Sequence, residues 1–257
     1  MLTWKSAHGR MMVVAHRGSS ARAPENTLAA FRRAVDDGAD AIECDVRLSG
    51  DGEVVVIHDS RLERTTNGRG RVSNHTVREL KKFDAGGWFG RAFRGERIPT
   101  LNEVFEALGG RIAFNIEVKS DRDRAMATET VKRCLEVVDS AGVRRTVLIS
   151  SFHIGLVELA KRLAPGITAG VLYHPVMHIH RKPASLVRAT GSEYFITSIR
   201  SLRPETSCRL RARGIEIGAY TINTRSALRR ALNLGVGCVY TDFPREVKNL
   251  IHGLDIQ

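Results

Sequence analysis

The chain has 257 residues, of which 42% are hydrophobic and 26% charged; at roughly 150 residues per domain this allows one large domain and excludes a long disordered protein. Lys and Arg number 40 against 28 Asp and Glu, a formal net charge of +12 that favours anionic partners. The basic residues are scattered without aromatic interleaving, so a phosphate-bearing small molecule is expected rather than nucleic acid or an anionic membrane surface.

The four cysteines form no C-x-x-C pair, no stretch reaches the apolar length of a membrane span, and MLTWKSAHGRMMVV at the start lacks a signal-peptide pattern. These features predict a cytoplasmic protein with reduced thiols and no stable membrane insertion. A chain of this size buries enough surface to fold without disulfides or a metal. Any metal is then expected to serve chemistry.

In chain order, the first strand pattern is MMVVAHRG (11–18), followed by the helical NTLAAFRRAVDDG and a second strand, ADAIECDV (39–46). The apolar run EVVVIHD then leads into 60–98, a stretch rich in Gly, Arg and aromatics that is too long for a simple βα loop. Alternation resumes with RIAFNIEVK (111–119), the helical TETVKRCLEVVDSAG, and strands at 146–151, 167–174 and 193–199. EIGAYTI (216–222) precedes TRSALRRALNLG, a helix with Thr224 as N-cap and Gly235 as stop, and CVYTDF (238–243) is the last strand.

Eight strands alternating with helices imply a parallel α/β arrangement. No Gly-rich phosphate fingerprint follows the first strand, so a closed (β/α)8 TIM barrel is expected rather than an open doubly wound sheet. The reading is a single catalytic domain over 1–257, with a small inserted subdomain at about 60–98 after the second strand, capping the barrel mouth.

In such a barrel the carboxyl ends of the strands open into one mouth. His16 and Arg17 end the first strand, Glu43 and Asp45 lie on the second, Glu117 and Lys119 on the third, Ser151 on the fourth and Asp242 on the last. Glu43 and Asp45 are two apart and project to one side, while Cys44 faces the helices; Glu117 and Lys119 repeat the geometry. Converging carboxylates repel unless a cation is present, which points to one oxygen-ligated divalent ion, Mg2+ or Ca2+ rather than zinc. The alternative is a metal-free network in which Arg17 and Lys119 pair with the acids. His16 and His58, two potential acid/base groups beside two phosphate-binding cations, suggest cleavage of a phosphate ester.

The runs AHRGSSARAPENTLAAF, IECDVRLSGDGEVVVIHD, RTTNGRG, FDAGGWF, IPTLNEVF, FNIEVKS, TIN and YTDFP occur in this order over about residues 13–245, and together they resemble the glycerophosphodiester phosphodiesterase family. The resemblance implies a TIM barrel with an insertion after the second strand, and hydrolysis of a small-molecule glycerophosphodiester to sn-glycerol 3-phosphate and an alcohol. It implies His16 and His58 as the catalytic pair, Glu43, Asp45 and Glu117 as ligands of one divalent cation, and Arg17 and Lys119 as phosphate-binding residues. Tyr220 stands where the family often carries Trp, a change expected to alter the substrate wall; Gly237, where Asp is common, is expected to do little.

Other residues carry weaker signals. His174, His178 and His180 are read as part of a variable substrate loop rather than a second metal site, and His8, His75, His153 and His252 have no supporting neighbours. Phe152 and Trp88 suit either an alcohol pocket or core packing, and Glu25 and Asn26 are read as structural contacts in the first helical turn. Two rival functions are a lysophospholipid-cleaving relative, with 171–182 as a membrane-facing loop, and a non-catalytic anion-binding barrel. The oligomeric state is left open.

Overall fold

All eight expected strands are present in a computed structural model that describes Trp4, residues 10–120 and residues 124–253; His8 lies outside the described residues. They are β1 (Met12–His16), β2 (Ala41–Leu48), β4 (Ala113–Val118), β5 (Val147–Ser151), β6 (Thr168–Tyr173), β7 (Tyr194–Ser198), β8 (Glu216–Tyr220) and β9 (Cys238–Thr241). Each pairs in parallel with the next, and β1 closes the circle by pairing both β2, with His16 opposite Glu43, and β9. The result is a TIM barrel.

One short strand is additional. β3 (Val54–Val56), within the EVVVIHD run, folds back antiparallel on β2 and prolongs it to Leu48, two residues beyond the end expected from sequence. Its three residues are all buried, so they show no polar alternation by which a strand could be recognised.

The outer helices are α1 (Leu28–Asp36), α3 (Leu101–Leu108), α4 (Arg124–Ser140), α5 (Ile154–Leu163), α6 (Pro183–Thr190), α7 (Pro204–Arg211), α8 (Arg225–Asn233) and α9 (Pro244–His252); α2 (Val77–Leu80) lies in the insertion. Side-chain caps set several of the starts. Thr224 accepts from the Ala227 backbone N–H to open α8, and Thr100 with Glu103 forms a reciprocal capping box on α3. Gly235, at φ 64°, supplies the left-handed turn after α8.

The period of two along each strand sorts the interior into layers. At the amino-terminal end, inward residues such as Met12, Val14, Ala41, Ala113, Leu148 and Tyr194 pack with Trp4, whose indole donates to the Phe114 and Thr146 carbonyls at 3.0 Å each. Moving two or four residues toward the mouth on the same faces, Val14 gives way to His16, Ala41 to Glu43 and Asp45, and Ala113 to Asn115 and Glu117. The intervening Ala15, Ile42, Cys44, Phe114 and Ile116 instead join the core between strands and helices, as expected for Cys44.

Residues between β3 and α3 form the insertion. Ile57, Leu62, Val72, Leu80, Ala85 and Ile98 make a small apolar cluster of their own with Val55. That cluster fixes the segment beside the mouth, where Arg64 reaches the site. Among the described residues no helix is long and apolar enough to cross a membrane.

Candidate active site

The mouth contains a cavity of about 280 Å³ lined by His16, Arg17, Glu43, His58, Glu117 and Lys119, with Asn115, Phe152, Tyr220 and Tyr240 among its walls. Asp45 lies beneath it, 1% exposed. Seven residues singled out from sequence are therefore brought together.

Oxygen atoms of Glu43, Asp45 and Glu117 lie within 4.8 Å of one another, all three residues being buried. Lys119 Nζ pairs with Asp45 Oδ1 at 2.7 Å and with Glu117 Oε1 at 2.5 Å, while Arg17 Nε stands 3.3 Å from Asp45 Oδ2. The two Asp45 contacts are ion pairs without hydrogen-bond alignment. Glu43 Oε2 accepts from the Arg17 backbone N–H at 2.9 Å, but Glu43 Oε1 is buried without a hydrogen-bond partner.

Three carboxylates thus face two permanent cations, and the surplus appears at Glu43. Burial, reinforced by the Asp45 and Glu117 charges, pushes its carboxyl up to about 8. Glu117 is also raised, by burial and then by Asp45, against the pull of Lys119. Burial would raise Asp45 too, but the Lys119 and Arg17 charges overcome it and hold that carboxyl below its ordinary range. A buried oxygen with no donor, on an acid that ordinarily needs a proton to be neutral, fits a divalent cation bound by oxygen ligands. The ion pairs of the alternative network, with Arg17 and Lys119, exist as well, and they leave this oxygen unsatisfied.

Each histidine is held at Nδ1 by a carboxylate. His16 Nδ1 lies 2.7 Å from Asp242 Oδ1, and His58 Nδ1 lies 2.6 Å from Asp59 Oδ1. Nε2 is the ring nitrogen left available in both. Burial disfavours the charged ring of His16, yet the Asp242 hydrogen bond and the Glu43 charge outweigh it and raise the pKa. At His58 burial prevails, helped by Lys119 and Arg17, and the pKa is lowered despite Asp45 and Asp59.

The supporting residues were only partly recognisable. Thr27 is the N-cap of α1, so Glu25 and Asn26 precede the helix rather than occupying its first turn. Asn26 donates to Asp45 Oδ2 at 2.7 Å and accepts from the Asp45 N–H at 3.2 Å; its φ of 59° suits Asn better than most residues. Arg64, in the insertion, donates to Glu25 through both terminal nitrogens at 2.8 Å and to Asp59 through Nε at 2.6 Å, while Glu25 accepts from Arg17 at 2.8 Å. One guanidinium therefore bridges the carboxylates behind Arg17 and His58. RTTNGRG and PENT mark these residues in the sequence, but nothing local in either run identifies the partner.

Phe152 and Tyr220 line the cavity, whereas Trp88 is 43% exposed in the insertion and donates to the Ala85 carbonyl, so it forms no part of the wall. Ser151 donates to the Val118 carbonyl and is structural.

The sequence profile of the Glycerophosphoryl diester phosphodiesterase family matches residues 16–246, from the end of β1 into α9. The chain belongs to that family. A glycerophosphodiester phosphodiesterase of Caldanaerobacter subterraneus subsp. tengcongensis is 38% identical over 94% of this chain and 98% of its own length. One from Bacillus altitudinis is 36% identical over 92% of this chain and 96% of its own. Among solved structures, an Oleispira antarctica phosphodiesterase in complex with the product sn-glycerol-3-phosphate superposes with a TM-score of 0.88 at 32% identity, over 96% of this chain and 99% of that one. Membership of the glycerophosphoryl diester phosphodiesterase family makes the chain an enzyme.

The Asn26–Asp45 pairing gives a stability prediction for this family member. Asn26→Ala removes the hydrogen bonds to the Asp45 N–H and to Asp45 Oδ2, leaving the latter only its ion pair with Arg17, and places Ala at a positive φ, with an expected loss of about 1–3 kcal/mol. Thermal unfolding checks it: Tm should fall by roughly 2–4 °C per kcal/mol, and an unchanged Tm would mean the pairing contributes nothing.

Proposed function

We propose that this enzyme hydrolyses glycerophosphodiesters to sn-glycerol 3-phosphate and a free alcohol at the cavity in the barrel mouth. The observation that carries the reading is the convergence on one cavity of two histidines, each held by a carboxylate at Nδ1, with three clustered acids and two cations. The likeness to a structure containing sn-glycerol-3-phosphate supports the product class. The substrate is a small molecule; nucleic acid has no part in this reading, and the enzyme is placed in the cytoplasm.

Glu43, Asp45 and Glu117 would hold one divalent cation, Mg2+ or Ca2+, which when bound supplies positive charge against the phosphoryl oxygens. His58, neutral at neutral pH, takes the proton from the attacking oxygen. Attack by water gives sn-glycerol 3-phosphate directly, whereas attack by a neighbouring glycerol hydroxyl gives a cyclic phosphate that water then opens, the two histidines exchanging roles. His16, whose raised pKa favours the protonated ring, gives its Nε2 proton to the departing alcohol oxygen as the P–O bond breaks. Asp59 and Asp242 orient the rings, and solvent returns the histidines to their starting states. Arg17 and Lys119 bind the phosphate and meet the charge that grows on it.

Arg17→Ala and Lys119→Ala should therefore raise KM and lower kcat together. Lys119→Arg should restore only part of the loss, because a planar fork cannot replace an ammonium between Asp45 and Glu117 without rearrangement. Steady-state kinetics decide this, and wild-type constants in either alanine variant remove that residue from the phosphate site. The overall reading is tested by assaying a glycerophosphodiester with and without a chelator. Hydrolysis that chelation abolishes and Mg2+ or Ca2+ restores supports it; full activity after exhaustive chelation contradicts the metal assignment.

A further inference from the structure

Between Glu158 and Glu193 the chain has no acidic residue, while Lys161, Arg162, Arg181, Lys182 and Arg188 add positive charge. Within this stretch the loop joining β6 to α6 leaves the mouth side of the barrel. It presents Val176, Met177 and Ile179 at 74%, 60% and 65% exposure, three of the five large exposed apolar side chains among the described residues. Scattered exposed apolar residues need no explanation, but three on one loop do.

The loop is anchored rather than loosely extended. His178, among these apolar residues, is buried, stacks on Tyr173 at 5.3 Å and places Nε2 2.9 Å from the Phe152 carbonyl oxygen. This anchor holds the apolar side chains outward, and it accounts for His178 without a metal. The Phe152 side chain lines the candidate active-site cavity, so the loop and the cavity share a wall.

His174, His180, Arg181 and Lys182 are exposed on the same loop. Across a groove of about 620 Å³, whose lining includes Pro175 and Pro183, stand Arg200 and Arg203, also exposed. Apolar tips surrounded by cations, with no acid in the loop, match the interfacial layer of an anionic membrane, where tips lie at the acyl boundary and cations meet headgroup phosphates. A second copy of the chain would bring the same basic surface against itself and be repelled.

We propose that the β6–α6 loop docks the protein peripherally on an anionic lipid surface, with the barrel mouth toward the lipid. The proposal does not depend on the reaction assigned to the cavity. Co-sedimentation with vesicles of phosphatidylcholine alone, and of an equal mixture with phosphatidylglycerol, tests it. The full chain should pellet with the mixed vesicles, remain in solution with the neutral ones, and be released by salt. The variant V176S/M177S/I179S, which keeps His178, should bind at least about ten-fold more weakly. R181Q/K182Q should lose about five-fold per charge removed. An unchanged melting transition in both variants shows that the fold is retained. Equal partitioning onto neutral and anionic vesicles, wild-type binding by the serine variant, or loss of a protein–protein complex in that variant without any vesicle binding would overturn the proposal.

Discussion

His16→Ala and His58→Ala should each lower kcat by about 10²–10⁴, the range for loss of a general acid or base. The double variant should be little worse than the poorer single one, because in the proposed mechanism the two rings serve one displacement. The sign of the pH dependence follows from their opposite shifts. A base works above its pKa, and that of His58 is lowered; an acid works below its pKa, and that of His16 is raised. The kcat/KM profile should therefore be bell-shaped, with its plateau between the two. His16→Ala should lose the alkaline limb, leaving activity that rises with pH and levels. His58→Ala should lose the acid limb, leaving activity that falls at high pH. A nitrophenyl ester, whose alcohol departs without protonation, should rescue His16→Ala and not His58→Ala. Rescue of the His58 variant alone, with the limbs exchanged, would reverse the two roles.

Loss of a proposed cation ligand should have a comparable effect and a separate signature. Asp45→Asn removes the acid that the Lys119 and Arg17 charges keep ionised at the base of the cluster, so it should weaken Mg2+ or Ca2+ binding as well as turnover. In the metal-free protein burial and the neighbouring acids push the Glu43 carboxyl up to about 8, which favours its protonated form at neutral pH, and the proposed cation would require its carboxylate. Cation affinity should therefore rise with pH up to that value and then level, with about one proton released per ion bound at neutral pH. Calorimetry in buffers of different ionisation enthalpy measures that proton. Pairing Glu43→Gln with the wild type tests its origin: the variant should bind the ion more weakly and release less proton. Proton release unchanged in Glu43→Gln would place the proton elsewhere.

The strands and the mouth residues were legible because a strand has a fixed period. Once MMVVAH, IECD and FNIEVK are read as strands, His16, Glu43, Asp45, Glu117 and Lys119 are assigned to faces and ends by counting alone. β3 was not legible, since its short run is buried throughout. Glu25 and Arg64 could not be paired in advance: they lie 39 residues apart on irregular segments, where no periodicity relates one side chain to another. The same holds for His16 and Asp242, 226 residues apart and joined only when β9 returns beside β1. Asp59 is adjacent to His58, but adjacency on a loop does not specify that it meets Nδ1. His178 looked like part of a histidine-rich substrate loop because spacing alone does not reveal that it stacks on Tyr173.

The most direct measurement is phosphorus NMR of purified protein with glycerophosphocholine, in Mg2+ or Ca2+ and after chelation, run in parallel for the wild type, His16→Ala and His58→Ala. The wild type with cation should convert the diester resonance to that of sn-glycerol 3-phosphate, while the chelated sample and both variants show little conversion over the same time. A diester left intact by the wild type with either ion, or converted at the wild-type rate by either histidine variant, would contradict the account.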